Sequence, residues 1–152
     1  MTGTREHTVF RLLDATRAAP AAPDARYAEA MLEYNLVTRG AVRLSATFRF
    51  VSGSHQLDGR SQGDLDRVAE FLRQPANARY KVSLLGFTDS AGAFGQNRAI
   101  AERRAGEVAA QLRQRGVQVA QAKGFGPIAP VACDDDSEAA LRNRRVEVWL
   151  GQ

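Results

Sequence analysis

Cysteine is almost missing from this chain. Cys133 is the only one in 152 residues, so neither an intrachain disulfide nor a zinc site built on paired cysteines is available. Asp134, Asp135 and Asp136 follow it directly, and their negative charge disfavours a thiolate. A structural thiol is therefore expected rather than a nucleophile. Histidine is as scarce: His7 and His55 stand far apart in the sequence, and no Ser/His/Asp set accompanies them. The three adjacent aspartates lack the alternating spacing of a calcium loop. No enzyme, no metal and no cofactor is expected.

Long apolar runs are absent too. None approaches the roughly 20 residues that span a bilayer. Met1–His7 contains one Arg with no apolar stretch behind it, so any export signal is expected outside these residues. Aromatic residues are few, with one Trp, three Tyr and seven Phe, which leaves little for base stacking. The formal net charge is +4, but the bases are scattered and often sit near acids, as in Asp64/Arg67 and Glu102/Arg103. Nucleic acid is not an expected partner. Mild basicity suits an acidic polymer or an anionic surface equally well.

What is present is a run of apolar patterns with two lengths of period. Residues 1–36 hold the Ala/Pro-rich stretch Ala18–Pro23, read as a linker, followed by a short helix from Ala25 to about Leu36 with Asp24 as its cap. One compact domain is expected over 37–152. Val42, Leu44, Ala46, Phe48 and Phe50 alternate with polar residues, which predicts a half-buried strand. Leu65, Val68, Ala69, Phe71 and Leu72 carry helical spacing, ended by Pro75. Tyr80–Gly86 is a more continuously apolar strand, as a central one should be. A long helix follows from about Phe94 to Arg115, with Gly116 in the left-handed capping position.

Val117, Val119 and Ala122 predict a third strand, Gly124–Pro127 a turn, and Val146, Val148 and Leu150 the last strand. The fold class is α+β: a βαβαβ order plus a final β, with two main helices on one face of a mixed four-stranded sheet.

The stretch from Gly86 to Arg104 carries the chemistry. Asp89 closes an apolar strand after Thr88, and Asn97 and Arg104 lie seven residues apart on the next helix, hence on one face. A carboxylate, an amide and a guanidinium then meet at one place, suited to a small zwitterion. The structural alternatives are ordinary: Asp89 as a helix cap or turn residue, Arg104 as one more arginine of a basic helix.

The ordered set Gly-x-Thr-Asp at 86–89, Gly92, Asn97, Arg-Arg-Ala at 103–105, Gly-Phe-Gly at 124–126, Pro130 and Asn-Arg-Arg-Val-Glu at 143–147 resembles the OmpA-like peptidoglycan-binding domain. That family includes the C-terminal domain of outer-membrane protein A, peptidoglycan-associated lipoprotein and flagellar motor stator proteins. The resemblance covers about residues 42–150. The strand around Arg43–Phe50 and the closing Val148–Leu150 look closer to members fused behind periplasmic phosphate-type binding proteins. The resemblance implies non-covalent binding of the peptidoglycan stem peptide through its meso-diaminopimelate, in the periplasm or cell envelope of a Gram-negative bacterium. By the family pattern Asp89 accepts the ligand ammonium and Arg104 holds its carboxylate. Thr88 and Asn97 stand beside them, Asn97 either bracing the loop or touching ligand. Arg144 is matched by the family's Asn-Arg-Arg, as a ligand residue or as an ion pair beneath the site. Other envelope proteins and an upstream domain are further possible partners, and an OmpA-like module without cell-wall binding is the alternative. The chain departs from the pattern at Ala101, where many members have Ser, and at Ala139-Ala140, where they have Gly-Arg.

Overall fold

A computed structural model describes residues 25–51, 54–132 and 137–152. The expected linker over 1–24, Cys133 and the acidic run Asp134–Asp136 lie outside the described residues. The elements in chain order are α1 (Ala25–Thr38), β1 (Val42–Arg49), α2 (Gly59–Arg73), a 3-10 turn (Pro75–Asn77), β2 (Lys81–Phe87), α3 (Phe94–Gln114), β3 (Gln121–Gly126), α4 (Ser137–Asn143) and β4 (Arg145–Gly151). Among the described residues, no helix is long and apolar enough to cross a membrane.

The four strands form one mixed sheet in the order β1-β4-β2-β3. β4 runs antiparallel to both β1 and β2, and β2 runs parallel to β3. Alternation along each strand sorts side chains between two layers. Val82 and Leu84 of β2 join Val146, Val148 and Leu150 of β4 and Phe48 of β1 against Leu65, Val68 and Leu72 of α2 and Ala105, Val108 and Leu112 of α3. Both long helices thus share one face, as the helical spacing predicts.

Two glycines let α3 lie directly on the sheet. A Cβ on Gly86 would fall 2.2 Å from the backbone oxygen of Ala101, and one on Gly124 2.2 Å from the backbone nitrogen of Glu102. Only a residue without a side chain fits at either place. Gly124 therefore belongs to β3, and Gly126, with φ of 76°, ends that strand. The expected turn at 124–127 and strand at 117–122 are corrected accordingly. Val117 serves the helix before it: Gly116 N–H donates to Arg113 O and Val117 N–H to Leu112 O, each at 3.0 Å, a Schellman closure with Gly116 at φ 82°. Val117 is buried with Leu112 because it is the apolar end of that cap.

The opposite face belongs to α1. Ala30 packs with Leu85, Phe87, Phe125 and Ile128, flanked by Tyr27, Met31, Tyr34 and Trp149. Tyr34 meets Phe87, Phe125 and Trp149 edge-on at centroid separations of 5.6, 5.7 and 6.1 Å. The expected boundary at 36/37 falls inside this helix. α4 has seven residues, too few to leave a periodic signal in the sequence.

Under α1 the β4 strand buries a charged pair. Arg145 and Glu147 are 1% exposed each, with Nε to Oε2 at 2.7 Å. Arg145 also donates to Asn143 O and Ala129 O, and its guanidinium lies 4.2 Å from the Phe87 ring centre. The Trp149 indole N–H donates to Glu147 at 3.0 Å. Burial still pushes the Arg145 guanidinium below its ordinary value, with Glu147 opposing that shift.

Candidate functional site

Asp89 stands in the loop that leaves the C-terminal end of β2, where β2 and β3 run parallel. Thr88 extends the β2–β3 pairing by donating its N–H to Gly126 O at 2.9 Å. Its hydroxyl donates to Asp89 O at 2.9 Å, so it braces the loop from below. One carboxylate oxygen of Asp89 accepts from Ala91 N–H at 3.1 Å, which is the turn role open to an aspartate here. It caps no helix: the N-cap of α3 is Ala93, without a side-chain hydrogen bond. The other oxygen accepts from Arg144 Nη1 at 3.1 Å. Asn97, 6% exposed, donates Nδ2–H to Ala91 O at 2.7 Å, fastening the same loop to α3.

Arg104 lies two helical turns along the same face. It is 3% exposed, far more enclosed than an arginine of a solvated helix. Nε–H donates to Ser54 O at 3.1 Å, and the guanidinium sits 5.2 Å from the Phe50 ring centre. Its Nη1 is buried with no hydrogen-bond partner among the described residues, and so is Nε of Arg144. Burial lowers the Arg104 pKa, the nearby Arg144 charge lowers it further, and Asp89 acts in the opposite direction. Among the described residues no ion pair joins Asp89 to Arg104.

Two guanidinium groups and one carboxylate thus act on one another here, and among the described residues two of their buried donors face no acceptor. A buried N–H without a partner costs about 1–3 kcal/mol, and an incoming anion removes that cost. The surplus positive charge matches a carboxylate, and the remaining capacity of Asp89 matches an ammonium. Among the described residues, no three His, Cys, Asp or Glu side chains gather to hold a metal ion.

The description of the OmpA family matches residues 49–144, the span from the end of β1 to the arginine beside Asp89. The chain belongs to the OmpA family. Among curated relatives, the probable lipoprotein YiaD of Escherichia coli is 35% identical over 104 residues, covering 66% of this chain and 46% of that protein. The peptidoglycan-associated lipoprotein of Pseudomonas putida is 35% identical over 116 residues, 75% of this chain and 68% of that one. The matched stretch is thus about half to two thirds of these relatives. The crystal structure of the peptidoglycan-associated lipoprotein from Burkholderia pseudomallei superposes with a TM-score of 0.62 at 26% identity, covering 68% of this chain and 88% of that chain.

Three residues to which sequence reasoning gave no role hold the surroundings of Asp89 and Arg104 in shape. Asn143 accepts from Val131 and Ala132 N–H and donates to Ala132 O, clamping the loop after β3. Arg145 reaches Ala129 O, a non-glycine residue held at φ 47°. Both stand in the quoted Asn-Arg-Arg run, so the signal was present without an assigned task. Ser54 contacts Arg104 through its backbone carbonyl, which no residue type announces.

Proposed function

We propose that this chain binds the peptidoglycan stem peptide non-covalently and so ties an envelope protein to the cell wall. The ligand group is meso-diaminopimelate: Asp89 takes its ammonium and Arg104 its carboxylate. Arg144 steadies Asp89 through their ion pair and offers its Nε–H to the same ligand. Thr88 and Asn97 keep the loop in place. The observation that carries this reading is the pair of buried donors on Arg104 and Arg144 that have no partner among the described residues, beside the carboxylate of Asp89. Names of relatives support it at the level of peptidoglycan association. The placement is the periplasm or cell envelope of a Gram-negative bacterium, and the role is binding without catalysis.

The alternative is a protein-interaction module that retains the fold and has lost the ligand. It would be favoured by a loop filling the pocket or by the ligand residues pairing with one another; among the described residues Asp89 pairs with Arg144 and forms no ion pair with Arg104. A calorimetric titration with a meso-diaminopimelate muropeptide tests the proposal. Saturable binding is expected, and Asp89→Ala weakens it by at least ~1.5 kcal/mol, the scale of a charged hydrogen bond. A flat titration of the well-folded chain overturns the proposal and leaves the interaction module.

A further inference from the structure

The β1–α2 loop brings a second basic surface against Arg104. Phe50 bridges Leu57 across the base of this loop, and Val51 N–H donates to Gln56 O at 2.9 Å. Ser54 N–H donates to Val51 O at 3.0 Å, and its hydroxyl accepts from Gln56 N–H at 2.8 Å. The described residues of the loop are thus bonded to one another, and the Arg104–Ser54 bond fastens Ser54 to α3. Between loop and helix lies a cavity of about 130 Å³ lined by Ser54, His55, Ile100, Arg103 and Arg104.

Its lining contains two arginines and a histidine but no carboxylate. Arg104 is 3% exposed, and its Nη1, without a partner among the described residues, belongs to a side chain that lines the cavity. Arg103 makes no ion pair among the described residues, although Glu102 is its chain neighbour. Ile100 supplies an apolar wall that suits the carbon chain of a ligand. A larger cavity, about 270 Å³ around Leu72, Tyr80 and Val117, shows no such convergence: its Arg73 already donates to Arg115 O at 2.7 Å.

We propose that this cavity is a second carboxylate subsite, in which Arg103 and His55 recognise the free C-terminal carboxylate of the stem peptide whose side-chain zwitterion is held by Asp89 and Arg104. The inference rests on the diaminopimelate reading above and extends it to the far end of the same ligand. Arg104 stands between the two places and serves as their common wall. Arg103 and His55 are then specificity-determining residues: they separate peptides that end in an acid at this point from those that end in an amide. A guanidinium gives a carboxylate a charged, two-pronged partner that a neutral amide does not match.

The test is calorimetry on the whole chain with two probes, the tripeptide L-Ala-γ-D-Glu-meso-diaminopimelate and the same peptide amidated at its C-terminal carboxyl. Wild type is expected to bind the acid about tenfold more tightly than the amide, one charged contact in affinity. In the double variant Arg103→Ala/His55→Ala that ratio falls to near one, while the amide keeps its wild-type affinity. Both positions are exposed, and circular dichroism checks that the variant is folded. Equal binding of acid and amide by wild type overturns the subsite, as does a ratio that survives the double substitution. In either case the diaminopimelate reading stands, because both peptides still bind and Asp89→Ala still weakens them. If neither peptide binds, that reading falls and the subsite falls with it.

Discussion

Replacing Arg104 by methionine separates a ligand-holding arginine from a core arginine. At 3% exposure the guanidinium is desolvated, and its Nη1 lacks a partner among the described residues, which costs about 1–3 kcal/mol. Repulsion from Arg144 adds to the cost. On the other side stand one bond to Ser54 O at 3.1 Å, about 1.5–3 kcal/mol for a charged donor, and the contact with Phe50 at 5.2 Å, about 1–2 kcal/mol. The two sides nearly cancel. Methionine keeps the aliphatic stem against Phe50 and removes the charge and the orphan donor together. Arg104→Met is therefore expected to unfold in urea within about 1 kcal/mol of wild type, since replacing a buried charge by an apolar group of similar length is often neutral. Arg104→Ala removes the stem too and leaves a void, and should fall about 2–3 kcal/mol lower. Both should lose muropeptide affinity by tenfold or more. Fluorescence of Trp149, the one tryptophan, reports the unfolding, and linear extrapolation gives the free energies. A methionine variant that unfolds as readily as the alanine variant, or that binds the muropeptide like wild type, refutes the reasoning.

Three other perturbations probe the frame around the site. Gly124→Ala places a methyl 2.2 Å from Glu102 N and 2.6 Å from Arg98 O. Both are backbone atoms of α3, so a loss of at least ~3 kcal/mol is expected in thermal denaturation. An unchanged melting temperature would contradict the close approach. Glu147→Gln leaves the Arg145 charge buried without its partner and should cost about 3–5 kcal/mol, and wild-type stability in the same melt would show that the pair contributes nothing. Tyr34 gives a pH signature. Burial first, then the charge of Glu147, raises its phenol above the ordinary 10.0, so the unfolded chain ionises before the folded one. The stability tied to this group is complete below pH 10 and declines as pH rises through and beyond 10. Urea midpoints measured across that window should decline less steeply for Tyr34→Phe, and parallel declines would remove Tyr34 as the cause.

Much of this molecule was legible from residue patterns, because burial on one face imposes a period on the chain. The alternation around Phe48 and the helical spacing of Leu65–Leu72 and Ala105–Leu112 mark the elements that pack into the larger layer. Val117 misled because apolarity marks burial without naming the element that buries it. Gly124 misled for the opposite reason: glycine usually marks a turn, and here it marks a place where a helix touches a strand. The acid and the base of the site were visible as residue types at a fixed separation. Their state was not, since neither the enclosure of Arg104 nor the bond from Arg144 to Asp89 follows from local sequence. Contacts made through backbone carbonyls, such as those of Ser54 and Ala129, leave no trace in residue identity.

The position of α1 has a mechanical consequence for a molecule that tethers. A pull applied at the N-terminal end of α1 enters the described residues at Ala25. To reach Asp89 the load crosses the Tyr34 ring cluster and the bridge from Glu33 to Arg98, 2.7 Å long. The helix holds to the sheet through side chains, whereas the strands hold one another through ladders of backbone hydrogen bonds. If the chain holds the wall as proposed, α1 is the element expected to peel first under tension, adding slack while the Asp89–Arg144 pair stays closed. It would then work as a fuse in series with the anchor.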